Sequence, residues 1–108
     1  MKIEKIIQPC DLKALTEMKE DSEYCGVYAG DLLSRAMSHV EEDNLWITIM
    51  NNVNVIAVAS LTGASAVILA EGVVMPEEVL ATAREKEITV FSSDKTVYEL
   101  CAILSSNE

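Results

Sequence analysis

Two runs of apolar residues stand out when polar and apolar positions are marked along the chain. They are Leu45-Trp46-Ile47-Thr48-Ile49-Met50 and Ala66-Val67-Ile68-Leu69-Ala70. Both are rich in β-branched residues and neither alternates, the pattern of strands buried on both faces of a parallel sheet. Between them lie the polar break Asn51-Asn52, the segment Val53 to Leu61 and a turn at Thr62-Gly63. Read as a helix, Val53 to Leu61 is apolar almost all round and calls for cover on both sides. Its valines and Ile56 also suit an inner strand. We favour the helix, because two parallel strands need a crossover element between them.

Flanking segments extend the alternation of strand and helix. Met1 to Ile7 alternates apolar and charged residues, as a half-buried or edge strand does. Pro9 suits the first turn of a helix whose face is Leu12, Leu15 and Met18, ending near Glu20. Tyr24 to Ala29 reads as a short strand in which Gly26 permits close backbone approach. Gly30-Asp31 opens the next helix, with Asp31 as N-cap and Leu32, Leu33, Ala36, Met37 and Val40 on its buried face. Pro76-Glu77-Glu78 starts another helix, because proline suits its first turn and the acids meet the positive end of its dipole. Ile88 to Phe91 is the last strand and Ser92 to Lys95 its exit loop. Thr96-Val97-Tyr98-Glu99 fits a capping box for a final helix to about Leu104, after which Ser105 to Glu108 frays. The whole reads as an α/β layered domain spanning residues 1–108.

Charge narrows the partners. Eighteen acids against eight bases give a net charge of −10, and no basic cluster interrupts the acidity. Nucleic acid and anionic membrane are disfavoured, since both recruit clustered Lys and Arg. No segment approaches the roughly 20 apolar residues that span a bilayer. The N-terminus, with acids close by and no small-residue cleavage site, does not read as a signal peptide. Cys10, Cys25 and Cys101 form no Cys-x-x-Cys pair, which argues against a disulfide framework or zinc knuckle and for a reducing cytoplasm.

Candidate chemistry gathers where the strands end, because ligands of open parallel sheets bind outside the carboxyl ends of the strands. The candidate ligand-binding residues are Asn51, Asn52, Asn54, Glu71, Gly72, Ser92, Ser93 and Asp94. The asparagines can line a pocket with amides, or form a turn and cap a helix. Glu71 and Asp94 can pair for a cation or a general base, or stand as solvated loop acids. His39 has no second histidine to join it, so it reads as exposed, and no metal ion or cofactor is expected. Cys25 has no histidine nearby in sequence and reads as a buried structural cysteine. The apolar circumference of Val53 to Leu61 predicts a homodimer, with Val53, Val55, Ile56 and Val58 in the interface.

A family resemblance accompanies these motifs. Val67 to Gly72, Pro76 to Leu80, Ile88 to Ser92 and Thr96 to Glu99 together resemble the C-terminal half of DRTGG domains. Tyr28 to Ser34 is similar to a free-standing branch of that family, associated with anaerobic bacteria and iron-only hydrogenase gene neighbourhoods. The resemblance implies a three-layer, Rossmann-like α/β fold with a mainly parallel sheet of four to five strands, related to the N-terminal domain of HPr kinase/phosphorylase. It also implies a regulatory setting, since larger members carry the domain beside CBS pairs. The name-giving motifs are altered: Gly-Asp-Arg is Asn51-Asn52-Val53 here, and Thr-Gly-Gly is Ala70-Glu71-Gly72. Three readings follow. The chain is a non-catalytic ligand-sensing or protein-interaction module acting as a homodimer, an accessory factor docking on a metalloenzyme-maturation partner, or a small enzyme using Glu71 and Asp94. The last is the weakest, because no nucleophile–base pair or metal set assembles from the sequence. In a gel shift at physiological salt and micromolar protein, no retardation of DNA or RNA is expected.

Overall fold

Both apolar runs form central strands of a five-stranded sheet. The structure, a computed structural model, describes residues 1–106. In chain order its elements are α1 (Glu4–Ile7), β1 (Lys13–Ala14), β2 (Val27–Ala29), α2 (Leu33–His39), β3 (Leu45–Thr48), α3 (Val53–Thr62), β4 (Ala66–Leu69), α4 (Glu77–Glu85), β5 (Val90–Ser92) and α5 (Val97–Ser106). The strands lie in the order β1-β5-β4-β3-β2. β2 to β5 are parallel, and β1 runs antiparallel along β5 with Lys13 opposite Ser92. β3 and β4 are buried at every residue, which is why they read as unbroken apolar runs.

Because β2 to β5 are neighbours in sequence order, each crossover steps the same way and its helix lands on the same face. α2, α3 and α4 accordingly share one core with Trp46, Val67, Leu69 and Val90. α1 and α5 cover the other face against Leu45, Ile47, Ile68 and Phe91. The result is a three-layer, Rossmann-like α/β arrangement. Among the described residues no helix is long and apolar enough to cross a membrane.

α3 is a helix and not an inner strand. The Asn52 side chain caps its start by accepting from the Asn54 amide at 3.0 Å, and Gly63 ends it in the left-handed conformation. α2 and α4 flank it on either side. Val55, Ile56 and Val58 are therefore buried within one chain, and the helix shows Val53, Asn54, Ala57, Ser60 and Leu61 outward. An interface on this helix would be built on Val53, Ala57 and Leu61, with Val55, Ile56 and Val58 behind it.

The N-terminal quarter departs from its sequence reading. Residues 1–7 do not form a strand: Ile3, Ile6 and Cys10 are buried at helical spacing, and only Lys2 bridges to Glu23 as a strand residue would. Nor do residues 9–20 form a helix. Asp11 turns the chain through a left-handed conformation (φ 52°), and the segment then runs extended beside β5. There the Thr16 hydroxyl donates to the Ile88 carbonyl at 2.8 Å and accepts from the Val90 amide at 2.8 Å. The tertiary partner overrides the local apolar spacing. Cys25 is exposed, and Cys10 is the buried cysteine. Gly26, at φ 80°, meets expectation: a Cβ there would sit 2.9 Å from the Asn44 side-chain nitrogen. At the other end α5 continues through Ser106, and the rest of the expected fraying tail lies outside the described residues.

The capping box forms as its sequence requires. The Thr96 amide donates to the Glu99 carboxylate at 3.0 Å, and the Glu99 amide donates to the Thr96 hydroxyl at 3.1 Å. The bond from the Thr96 amide, followed by the Thr96 hydroxyl, holds the Glu99 carboxyl below its ordinary range. A group whose folded pKa is depressed stabilises the fold above its unfolded pKa, and loses that effect as pH falls through the folded value. Glu99→Gln is therefore expected to lower the urea midpoint at neutral pH, with the difference from wild type fading in acid. Thr96→Ala is expected to cost about 1 kcal/mol in the same measurement.

Candidate functional site

Four loops leave the carboxyl ends of β2, β3, β4 and β5, and hydrogen bonds join each to the next. Asp31, in the loop after β2, does not cap α2; Leu32 occupies that position with no side-chain bond. Asp31 instead reaches across to the end of β3, where its Oδ1 accepts from the Thr48 hydroxyl at 2.7 Å and the Ile49 amide at 2.9 Å. Thr48 is fully buried, and its hydroxyl also accepts from the Met50 amide at 3.2 Å. A buried hydroxyl without an acceptor is costly, so Asp31 serves β3 in preference to its own helix.

The next two junctions use the candidate residues. Asn51 donates from Nδ2 to the Val74 carbonyl at 2.9 Å, which ties the loop after β3 to the loop after β4. Glu71 and Gly72 donate their amides to the carbonyls of Lys95 and Ser93, at 2.9 and 2.8 Å, which ties β4's loop to β5's. This turn takes both residues through positive φ, 60° and 75°. A Cβ on Gly72 would lie 3.3 Å from an Asp94 carboxylate oxygen, so glycine is what lets the two loops close up. The buried Ser93 hydroxyl then donates to the Cys10 carbonyl at 2.6 Å and accepts from the Lys95 amide at 3.2 Å. Burial pushes the Cys10 thiol up, with Lys95 acting in the opposite sense.

The candidates thus sort into two groups. Asn51, Asn52 and Ser93 spend their side chains on the frame, and Ser92 is buried in β5. Asn54, Glu71 and Asp94 are exposed at the edge. Asp94 lies 3.6 Å from Lys13 in an exposed ion pair, a contact worth little in water. His39 is exposed on α2, stacked on Tyr28 with ring centres 6.1 Å apart. Among the described residues no group of three or more acidic, histidine or cysteine side chains could hold a metal ion.

Polar breaks in the sequence do not disclose what the frame carries. Leu32, Ile49 and Val74 stand on these loops at 61, 44 and 57% exposure and Val53 opens α3 at 47%, together half of the large apolar side chains exposed among the described residues. The Asp31–Ile49 and Asn51–Val74 bonds hold the three loops that bear them side by side. A separate cavity of about 460 Å³ opens on the opposite edge, between Thr16–Glu20 and Arg84–Thr89. Of its charged walls Lys19 pairs with Glu87 at 3.6 Å and Arg84 with Glu77 at 2.8 Å, and its Thr16 hydroxyl is held by β5. If Asp31 is the tie between β2 and β3, Asp31→Ala should cost about 1–3 kcal/mol in chemical denaturation, with the loss focused on amide exchange at Ile49 and Met50.

The architecture has known counterparts. Among solved structures, the chain superposes on part of the crystal structure of the CBS and DRTGG domains of the regulatory region of Clostridium perfringens pyrophosphatase, complexed with activator, diadenosine tetraphosphate. The TM-score is 0.79 at 15% identity, covering 94% of this chain and 45% of that one. That likeness concerns the fold, and this chain spans less than half the length of that structure's chain. No curated protein sequence matches it. The DRTGG domain pattern matches residues 13–106, from β1 to the end of α5, and the chain belongs to the DRTGG domain family.

Proposed function

We propose that the chain is a non-catalytic regulatory module, acting as a homodimer, that binds a small molecule at the carboxyl edge of its sheet. The observation that carries this is the hydrogen-bonded frame from Asp31 through Asn51 to Ser93, which holds Leu32, Ile49, Val53 and Val74 open to solvent. Apolar side chains on a fixed polar frame suit recognition by contact. The Asp31 carboxylate is engaged by Thr48 and Ile49, which favours a structural part for it over proton transfer. Family membership supports the reading, because the related pyrophosphatase region is regulatory and was seen with a nucleotide activator.

The ligand differs in charge from that activator. Asn51-Asn52-Val53 and Ala70-Glu71-Gly72 carry no cation, and Glu71 adds a negative charge to the edge of a protein already at −10. A neutral or cationic molecule with an apolar portion suits this edge better than a polyphosphate. The open spread of the four apolar side chains also favours a second reading, in which a partner protein, such as a metalloenzyme-maturation factor, covers them.

A thermal-shift panel of metabolites, followed by chemical-shift mapping with the strongest stabiliser, tests the proposal. Shifts are expected at Leu32, Ile49, Asn51, Glu71 and Val74, with diadenosine tetraphosphate giving no stabilisation. Shifts confined to Thr16–Glu20 and Arg84–Thr89 would place the site in the opposite cavity and overturn the reading.

A further inference from the structure

The two edges of the sheet are guarded unequally. At one, β1 is two residues long, exposed, and carries Lys13, features that discourage further pairing. At the other, β2 pairs only with β3, and the stretch Cys25-Gly26-Val27-Tyr28-Ala29-Gly30 contains neither charge nor proline. The Leu45 amide donates to the Gly26 carbonyl and the Gly30 amide to the Ile47 carbonyl, at 3.0 and 3.1 Å. Bonding residues alternate along a parallel strand, so Tyr28 faces β3 with both of its backbone groups. Val27 and Ala29 therefore direct theirs away from the sheet. Beside them α5 leaves a groove of about 270 Å³, lined by Val27, Ala29, Cys101, Leu104 and Ser105.

We infer that this edge is where a second copy of the chain docks, by antiparallel pairing of β2 with its counterpart. The inference rests on the homodimer proposed above and names its face. With the two-fold axis at Tyr28, Val27 of each copy lies opposite Ala29 of the other, and each such pair exchanges both of its backbone hydrogen bonds. Four bonds form, and two five-stranded sheets become one of ten strands. The pairing is self-complementary, as a two-fold interface requires.

Charge selects a second copy as the occupant. Two chains of net charge −10 repel each other over most of their surfaces. Residues 24–40 and 97–106, which contain β2, α2 and α5, hold only two of the 18 acids, Asp31 and Glu99. Both are fixed by hydrogen bonds and keep their charge, Asp31 held by Thr48 and Ile49 and Glu99 by the capping box. The same stretch contributes Arg35 and His39. Here two acidic copies can meet with fewer acids opposed than elsewhere, with Glu23 and Asp43 flanking only the Cys25 end of the stretch.

Sedimentation equilibrium on the full chain at tens of micromolar is the test. Wild type is expected at twice 11.8 kDa. Ala29→Lys, at an exposed position, brings a lysine from each copy to the shared edge and is expected to weaken pairing by roughly tenfold or more with an unchanged circular dichroism spectrum. Val27→Pro removes one outward N–H per copy, leaves the ladder to β3 intact, and is expected to act alike. Leu61→Lys on α3 is expected to change nothing. A wild-type monomer would overturn the homodimer and this face together. A dimer that survives Ala29→Lys but dissociates with Leu61→Lys would overturn this face alone and assign the interface to α3.

Discussion

Burial of β3 and β4 on both faces is the constraint on which the other features depend. A strand with no wet face needs a layer above and a layer below, and the chain supplies α2, α3 and α4 on one side and α1 and α5 on the other. It also needs its polar groups satisfied inside. Trp46, the largest buried side chain, donates its indole N–H to the Gly30 carbonyl at 3.0 Å, and Thr48 gives its hydroxyl to Asp31. Both partners lie just after β2, so the needs of β3 position the loop that follows its neighbour. The frame at the carboxyl edge begins with that demand.

Much of this was legible in the sequence, and the reason differs from element to element. β3 and β4 could be read because burial on two sides leaves a composition with no polar alternation. α4 and α5 could be read because Pro76-Glu77-Glu78 and Thr96-Val97-Tyr98-Glu99 are local signals that the tertiary structure does not contradict. β1 could not. Two residues have no period, and what makes Lys13-Ala14 a strand is Phe91-Ser92, in the last fifth of the chain. The same holds for Ile3, Ile6 and Cys10, whose helical spacing is masked by the charges between them.

The candidate edge was half legible. Polar breaks after each strand marked where the loops would lie, and the structure gathers them there. What the breaks could not tell was which side chains are spent on holding loops together and which remain for a partner. Asn52 caps a helix by a rule that local sequence states. Asn51 reaches a carbonyl 23 residues away, and Asp31 a hydroxyl 17 away, and no local rule states either. The exposed apolar residues escaped for a related cause: Ile49 adjoins the buried β3, and Leu32 and Val53 stand at helical spacing from buried Ala36 and Ile56, so all three read as core.

The place of β1 beside β5 has a consequence for how the chain is made. β3, β4 and β5 each pair with the strand synthesised just before, so that part of the sheet can grow as the chain emerges. β1 cannot join in, since its partners are Phe91 and Ser92, and Cys10 before it waits for Ser93 and the apolar face of α5. At about 5–20 residues per second, the gap between Lys13 and Ser92 corresponds to roughly 4–16 seconds on the ribosome. Through that interval Ile3, Ile6 and Cys10 can meet Tyr24, Leu45, Ile47 and Ile68 but not Phe91, Leu100 or Leu104, so their half of the core stays open. The segment that precedes β2 in the chain is thus the last to be enclosed.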